Sequence, residues 1–137
     1  MRDHESALIK AMIAYLAGDA ALKALLGDPA RIWDQPPKGA VFPHLTIGRA
    51  ESRPVAADGG GVEHGLTLTC VSTFAGAEEA RAVAAAVRAR LQDAVLSADG
   101  VRTVSVRVTF TDVFRPGDLK RALAVMRVRA VTEESGE

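Results

Sequence analysis

Apolar residues recur at helical spacing in two separate stretches of the chain. The first stretch begins near Ser6, a residue type that caps helices, and its pattern predicts a helix that ends near Gly18. Asp19 is expected to cap a two-turn continuation over residues 20–26, which a glycine then stops. Residues 77–96 carry a stripe of alanine, valine and leucine at the same spacing. This longer helix must lay its apolar stripe on a sheet.

Four further stretches alternate apolar and polar residues with the period of two that β-strands show. They are residues 44–47, 65–74, 101–110 and 119–131. The positions expected to face the core in the second and third stretches are Leu66, Leu68, Cys70, Phe74, Val104, Val106, Val108 and Phe110. Together with the helices, these strands predict an α+β fold. We expect a single domain with a largely antiparallel (mixed) four-stranded sheet, helices on one face, and the element order α-β-β-α-β-β.

The opposite face of the predicted sheet is polar. Its outward positions are Thr67, Thr69, Thr73, Ser105, Arg107 and Thr109, which suit either water or a polar partner. The connection over residues 48–64 contains three consecutive glycines, a proline and several charges, so we expect it to be a mobile loop. The acidic tail over residues 132–137 is expected to be frayed.

Length and composition narrow the class of protein. The 137 residues, 48% of them hydrophobic, predict one domain that spans residues 1–137. Seventeen basic and seventeen acidic residues cancel, which argues against whole-domain attraction to nucleic acid or to an anionic membrane. No apolar run approaches the roughly 18–20 residues that cross a bilayer, and the N-terminus does not resemble a signal peptide. We therefore expect a protein that stays in the cytosol.

Residues that support catalysis or metal binding are few. Cys70 is the one cysteine, which excludes an internal disulfide and a thiolate metal cluster, and it lies on the strand face predicted to be buried. His44 and His64 stand at the starts of two neighbouring strands, but two histidines alone do not define a metal site. We expect no catalytic residues, no metal and no cofactor. A small enzyme or ligand-binding domain whose site gathers His44, His64 and Cys70 stays open as an alternative.

A series of short motifs follows the predicted strands in a fixed order. Arg31-Ile32-Trp33-Asp34 precedes Pro36-Pro37 and then Phe42-Pro43-His44-Leu45-Thr46-Ile47-Gly48. Further on come His64-Gly65-Leu66-Thr67-Leu68, a Thr-Phe-x-Gly link into the alanine-rich helix, a valine-rich strand, and Phe114-Arg115-Pro116 before the closing strand. Across nearly the whole chain, this order resembles the tail completion (tail terminator) proteins of long-tailed bacteriophages and gene transfer agents. His44 departs from the pattern, because many members carry an aromatic residue there.

The resemblance implies a structural protein of a phage or phage-like particle, assembled in the bacterial cytoplasm. Members of the family form a ring, usually of six subunits, that closes the head-proximal end of the tail tube. The ring stops tube polymerisation and docks the head-side connector or stopper protein. DNA passes through it as cargo, and neither a membrane nor catalysis is involved. Another ring of the same neck, a stopper or an adaptor, is the nearest alternative.

The candidate interface residues are charged and lie in the expected mobile loop and on the last strand. They are Arg49, Arg53, Asp58, Glu63, Arg127 and Arg129. Arg127 and Arg129 alternate along their strand and share one face, which is either solvated or part of an oligomer contact or duct lining. We expect these residues to contact a neighbouring subunit or the tail tube protein.

Overall fold

The computed structural model describes residues 2–55, 60–73, 75–117 and 120–135. In these ranges the chain forms three helices: α1 (His4–Ala17), α2 (Ala20–Leu26) and α3 (Ala77–Leu91). The same ranges contain six strands: β1 (Ile32–Trp33), β2 (His44–Pro54), β3 (Val62–Thr73), β4 (Ser97–Ala98), β5 (Val101–Phe114) and β6 (Arg121–Glu134). The architecture is α+β in a single domain, as predicted, with the helices packed on one face of the sheet.

Both N-terminal helices begin at aspartate caps. The Asp3 carboxylate accepts hydrogen bonds from the Ser6 backbone N–H at 3.0 Å and from the Ser6 hydroxyl at 2.8 Å. These bonds hold the pKa of Asp3 below its usual value, and the observed cap lies three residues before Ser6, the residue expected to cap this helix. Asp19 caps α2 as predicted, accepting from the Leu22 N–H at 3.0 Å. The third helix, α3, ends at Leu91, five residues before its predicted boundary.

The described part of the sheet has six strands rather than the predicted four, in the order β1-β2-β3-β6-β5-β4. The two additional strands, β1 and β4, lie at opposite edges and are two residues long, too short to show alternation in a sequence. β1 pairs with β2 in parallel, and all other neighbouring strands are antiparallel. The sheet is therefore mixed, as predicted.

Buried side chains from the helices and the sheet form one core between them. The largest apolar side chains with almost no exposure are Leu8, Met12, Leu16, Leu22, Leu26, Leu45, Ile47, Leu66, Leu68, Leu91 and Met126. The predicted inward positions Leu66, Leu68 and Cys70 are confirmed, whereas Phe74 lies outside the described residues. Each buried leucine or methionine stabilises the fold by about 1.5–3 kcal/mol. No helix in the described part of the chain is both long and apolar enough to cross a membrane.

Two bulges in β5 change which of its side chains face the core. The register of β5 against β6 shifts at Val104 and again between Val108 and Phe110. Each shift inserts an extra residue, so the side chains that follow change faces. Val106 is buried and Val108 half-buried, as predicted, but Val104 is 61% exposed and Phe110 is 50% exposed. The prediction that Val104 and Phe110 face the core was wrong for this reason.

Most of the segment expected to be a mobile loop is paired strand. β2 continues to Pro54 and β3 begins at Val62, and these two residues are partners at the end of a regular antiparallel ladder. Proline and glycine favoured a loop, but long-range pairing outweighs their local preference. Residues 56–59, and Asp58 with them, lie outside the described residues.

The last strand also differs from its predicted range. β6 spans Arg121–Glu134, and Leu119, its predicted first residue, lies outside the described residues. Thr132 is 1% exposed and pairs with both β3 and β5. The tail expected to fray from residue 132 is therefore part of the sheet as far as Glu134, and residues 136–137 lie outside the described residues.

Candidate functional site

Two sets of polar side chains lie back to back at one end of the sheet, on β2, β3 and β6. Successive side chains of a strand point to opposite faces. Arg53, Glu63 and Arg129 therefore face outward, away from the helices, while Ser52 and His64 face inward towards α1. The two sets differ in chemistry, in exposure and in how completely their hydrogen bonds are satisfied.

The outward set surrounds a concavity of about 460 Å³. Gly65 forms its floor, because the absence of a side chain leaves open space above β3. Its charged walls are Glu51, Arg53 and Glu63 on one side, and Arg127 and Arg129 of β6 on the other. We call this feature, defined by these five residues and Gly65, the arginine concavity.

Glu63 holds two of the arginines together. The Arg53 guanidinium donates to Oε1 of Glu63 from Nε at 2.6 Å and from Nη2 at 2.5 Å, and Arg129 donates to Oε2. These hydrogen bonds, first from Arg53 and then from Arg129, hold the pKa of Glu63 below its usual value. Arg129 lies directly opposite Gly65, whose bare backbone lets the long side chain reach diagonally to Glu63. The ionised Glu63 thus ties β2 and β6 together across β3.

Two further arginines at this end of the outward face have no anionic partner among the described residues. Within the described ranges, the guanidinium groups of Arg107 and Arg127 make neither an ion pair nor a hydrogen bond. Arg107 lies directly opposite Arg129 on the neighbouring strand. Like charges in directly opposed positions destabilise an antiparallel pair. The face therefore carries an excess of positive charge on a chain whose net charge is zero.

The structure brings together four of the six predicted interface residues. Arg53, Glu63, Arg127 and Arg129 line the arginine concavity. Arg49 lies outside it, at the bulge of β2, where its Nε is 3.4 Å from Oε1 of an equally exposed glutamate, Glu51. The sixth residue, Asp58, lies outside the described residues.

Farther from the arginine concavity the outward face carries mostly apolar side chains, together with one exposed acid, Asp112, opposite Val125. Phe110 of β5 lies opposite Arg127, and Phe114 lies opposite Leu123, with exposures of 50% and 39% for the two phenylalanines. Leu123 and Val125 of β6 are half-buried beside them. We call Phe110, Phe114, Leu123 and Val125 the apolar strip. Arginine and aromatic side chains are enriched at the centres of protein–protein interfaces.

The inward set is a chain of hydrogen bonds between α1 and the sheet. Thr132 Oγ1 lies 2.7 Å from Nδ1 of His4 and 2.8 Å from Nε2 of His64. Nδ1 of His64 lies 2.8 Å from Oγ of Ser52, which donates to Oε1 of Glu5 at 2.7 Å. His4, His64 and Thr132 are all buried. We call these five residues the histidine network.

One arrangement of protons satisfies every bond in the histidine network. Because the Ser52 hydroxyl donates to Glu5, it must accept from Nδ1–H of His64. Nε2 of a neutral His64 then accepts from the Thr132 hydroxyl, whose oxygen accepts from Nδ1–H of His4. Burial, and after it the neighbouring His4, lowers the pKa of His64 and favours this neutral ring. Throughout the part of the chain that the structure describes, no buried side-chain polar atom lacks a partner.

The histidine network is not connected like a hydrolase triad. In such a triad the acid orients the histidine, and the histidine takes the proton of the serine. Here the Glu5 carboxylate contacts the serine itself, so the Ser52 proton is directed away from His64. The network therefore holds the start of α1 on the sheet and does not activate a nucleophile.

The three residues of the alternative enzyme site do not form one site. His44 opens β2 and stacks on Phe42 with ring centroids 5.5 Å apart, whereas His64 pairs with Ser52, eight residues and roughly 26 Å further along that strand. Cys70 faces the core, where burial raises the pKa of its thiol to about 12 and keeps it protonated at neutral pH. Among the described residues, no group of three or more histidine, cysteine, aspartate or glutamate side chains is placed to hold a metal ion.

Comparisons with known proteins agree with this architecture. A family model described as "Tail completion protein gp17" matches residues 10–133. A solved structure described as "Virion of native gene transfer agent (GTA) particle" contains a similar chain, with a TM-score of 0.85 and 25% sequence identity. That alignment covers 97% of this chain and 99% of the other. A search of the curated proteins finds no match.

The family model that matches most of the chain and the similar chain of a virion structure together define a structural protein of a phage-type particle. The chain belongs to the tail completion protein gp17 family, whose model covers most of its length. It is accordingly a structural protein of a phage-type tail and not an enzyme. The family predicted from the sequence motifs is confirmed.

Some residues of the two sets escape prediction from the sequence. Arg107 was expected on the polar face but not at an interface, and its alternation with valines is the signal that marks it as outward-facing. The histidine network carries no local signal, because His4 and Thr132 are 128 residues apart in the chain. Only the folded sheet brings these two side chains together.

Proposed function

We propose that this protein forms a ring of six subunits at the head-proximal end of a tail tube. There it stops tube polymerisation and joins the tail to a head-side connector or stopper protein, while DNA passes through as cargo. One observation carries the proposal: both edges of the sheet are open, and they are unlike each other. Membership of the tail completion family, and the gene transfer agent particle that contains a similar chain, support the setting in a tail.

The first edge is formed by β1 and β2. β1 pairs with only two residues of β2, so residues 47–54 of β2 have no strand beside them on that side in the described part of the chain. The segment that leads into β2 exposes Val41 by 63% and Phe42 by 42%. An open strand flanked by apolar side chains is a template for pairing with another chain.

The second edge is formed by β4 and β5. β4 pairs with two residues of β5, and residues 104–114 of β5 have no strand on that side within the described ranges. Val95 before β4 is 78% exposed, and Val104 in the first bulge is 61% exposed. This edge also presents apolar side chains, on a strand that is bent and locally twisted by two bulges.

Two unlike edges favour a ring over a two-fold dimer. A head-to-tail contact joins one surface of a subunit to a different surface of the next, and it closes into a ring when the rotation between subunits divides a full turn. The number six follows from the family resemblance. Arg49 and Arg53 lie on the first edge strand, and we place both at the subunit contact. We assign Glu63, Arg127 and Arg129, together with Asp58, to contacts with the neighbouring subunit or the tail tube protein.

The experiment disables each edge separately. We expect Val41→Asp and Val104→Asp each to abolish ring assembly, measured by light scattering with the tail tube protein of the same particle as template. Each variant keeps one intact edge, so a mixture of the two yields dimers but no rings. Arg81→Glu, on the exposed face of α3, serves as the control and leaves ring assembly unchanged.

Two results would contradict the proposal. If one variant still assembles rings as the unmodified protein does, the edge that it alters is not part of the subunit contact. If both variants still bind a head-side protein and ignore the tube protein, the chain is a stopper or an adaptor and not a tube terminator. Thermal melting of each variant verifies that the fold is intact.

A further inference from the structure

We propose that the outward face of the sheet is a docking surface for a protein segment that carries carboxylate and apolar side chains. The carboxylates enter the arginine concavity, and the apolar side chains cover the apolar strip. The inference rests on the proposed role in a tail and adds the chemistry of the partner that this face receives. It concerns the broad outward face of the sheet, which includes residues assigned above to a neighbouring subunit or the tail tube protein, and it states the chemistry that such a partner must carry.

The first argument is the uncompensated charge. Arg53, Arg107, Arg127 and Arg129 stand on this end of the face, and Glu63 is bonded to only two of them. Within the described ranges Arg107 and Arg127 have no partner, and Arg107 is held against Arg129 across the strands. An arriving anion relieves this repulsion and occupies the free guanidinium groups. The face is therefore left incomplete in the isolated subunit.

The second argument is the size of the arginine concavity and its own negative charge. A volume of about 460 Å³ accommodates one or two side chains. Duplex DNA instead presents a phosphate charge every ~1.7 Å along a continuous rod. Glu63 is ionised in the wall of the concavity, and its two oxygens are already bonded to Arg53 and Arg129. An isolated carboxylate fits this small space and matches the planar fork of an arginine with two parallel hydrogen bonds.

The third argument is the apolar strip, which continues the same surface. Phe110, directly opposite Arg127, and Phe114 expose 50% and 39% of their surfaces. A phosphate backbone has no apolar groups to bury against these rings. A protein segment with leucine-like side chains beside its acids buries them and gains the hydrophobic stabilisation. The combination selects a protein over a nucleic acid.

The test compares three probes by fluorescence anisotropy. The first is a labelled peptide with two glutamates on either side of a leucine pair, the second replaces each glutamate by glutamine, and the third is a short DNA duplex. We expect the glutamate peptide to bind most tightly. The double variant Arg107→Glu, Arg127→Glu weakens that binding at least about tenfold. Arg81→Glu on α3 is the matched charge reversal and binds the peptide as the unmodified protein does.

Each outcome decides the inference. If the duplex binds more tightly than the glutamate peptide, and the double variant no longer binds the duplex, the face is a nucleic-acid surface and the inference is wrong. If the folded double variant binds the peptide like the unmodified protein, or if the glutamine peptide binds equally well, the arginines do not receive a carboxylate. Ring assembly is measured on the same samples. Peptide binding without ring assembly rejects the proposed function but supports the docking surface. Ring assembly without peptide binding rejects the docking surface but supports the proposed function.

Discussion

The histidine network and the arginine concavity occupy opposite faces of the same strand ends. The network is buried and fully hydrogen-bonded, whereas the concavity is exposed and lies beside arginines without an anionic partner in the described ranges. In the network, one assignment of protons gives every hydrogen bond a donor and an acceptor, and every buried polar side-chain atom has a partner. On the outward face, two arginines lack a partner within the described ranges and two like charges oppose each other. The buried network stabilises its own fold, whereas the exposed arginines carry a charge that an anionic partner can neutralise.

The period of two in a β-strand makes this separation possible. Ser52 and Arg53 are neighbours in the chain, as are Glu63 and His64, but their side chains serve different faces. A substitution on one face therefore tests that face with little effect on the other.

The largest expected effect on stability comes from Thr132→Val. The valine preserves the shape of the side chain but removes the hydroxyl, which leaves Nε2 of His64 without a donor and Nδ1–H of His4 without an acceptor. We expect a loss of about 2–3 kcal/mol in the free energy of unfolding, measured by urea denaturation. Thr69→Val, the same change on the outward face of β3, is the control and is expected to stay within about 0.5 kcal/mol of the unmodified protein. Equal effects of the two substitutions would show that the network is not structural.

A smaller effect is expected from acidification. Burial lowers the pKa of His64 in the folded protein, so as the pH falls through about 6.5 the unfolded chain binds a proton that the folded chain does not. The free energy of unfolding is therefore unaffected by His64 above this pH. Below it, stability decreases by at most ~1.4 kcal/mol per pH unit until the pH reaches the lowered pKa. Urea midpoints measured from about pH 8 to about pH 5 test this. We expect the urea midpoint to change less steeply with pH in His64→Asn. An unchanged pH dependence would show that His64 does not cause it.

The smallest expected effect, and the one of opposite sign, comes from Arg107→Thr. This substitution removes the like-charge pair with Arg129 and puts a residue with good strand propensity in its place. We expect a gain of a few tenths of a kcal/mol at low salt, which disappears at high salt because the repulsion is screened. The same variant binds the glutamate peptide more weakly. A protein that becomes less stable instead would show that Arg107 is already paired in the isolated subunit.

Much of the fold is predictable because local chemistry and tertiary structure agree there. The Asp19 cap and the inward positions of β3 follow from single residues and from alternation, and the structure has both. The predictions were wrong where strand pairing between residues far apart in the sequence determines the local structure. The bulge at Val104 and the extension of β2 to Pro54 depend on β6 and β3, and the short edge strands β1 and β4 exist only as partners of longer ones.

The candidate site is predictable as a set of residues but not as a surface. The charges of Arg53, Glu63, Arg127 and Arg129 are visible in the sequence, while their convergence around Gly65 follows from the register of three strands. The exposure of the phenylalanines beside them depends on the second bulge of β5. Family resemblance identified the class of protein, but it did not indicate which face of the sheet remains unsatisfied.

We propose that this protein closes the end of a tail tube, and the length of the tubes tests this proposal. The tail tube protein of the same particle is polymerised with and without this protein, and the products are imaged and measured. We expect shorter tubes, each with a ring of this protein at one end, and a length that decreases as more of this protein is added. Tubes of unchanged length with bare ends would show that the protein does not close the tube.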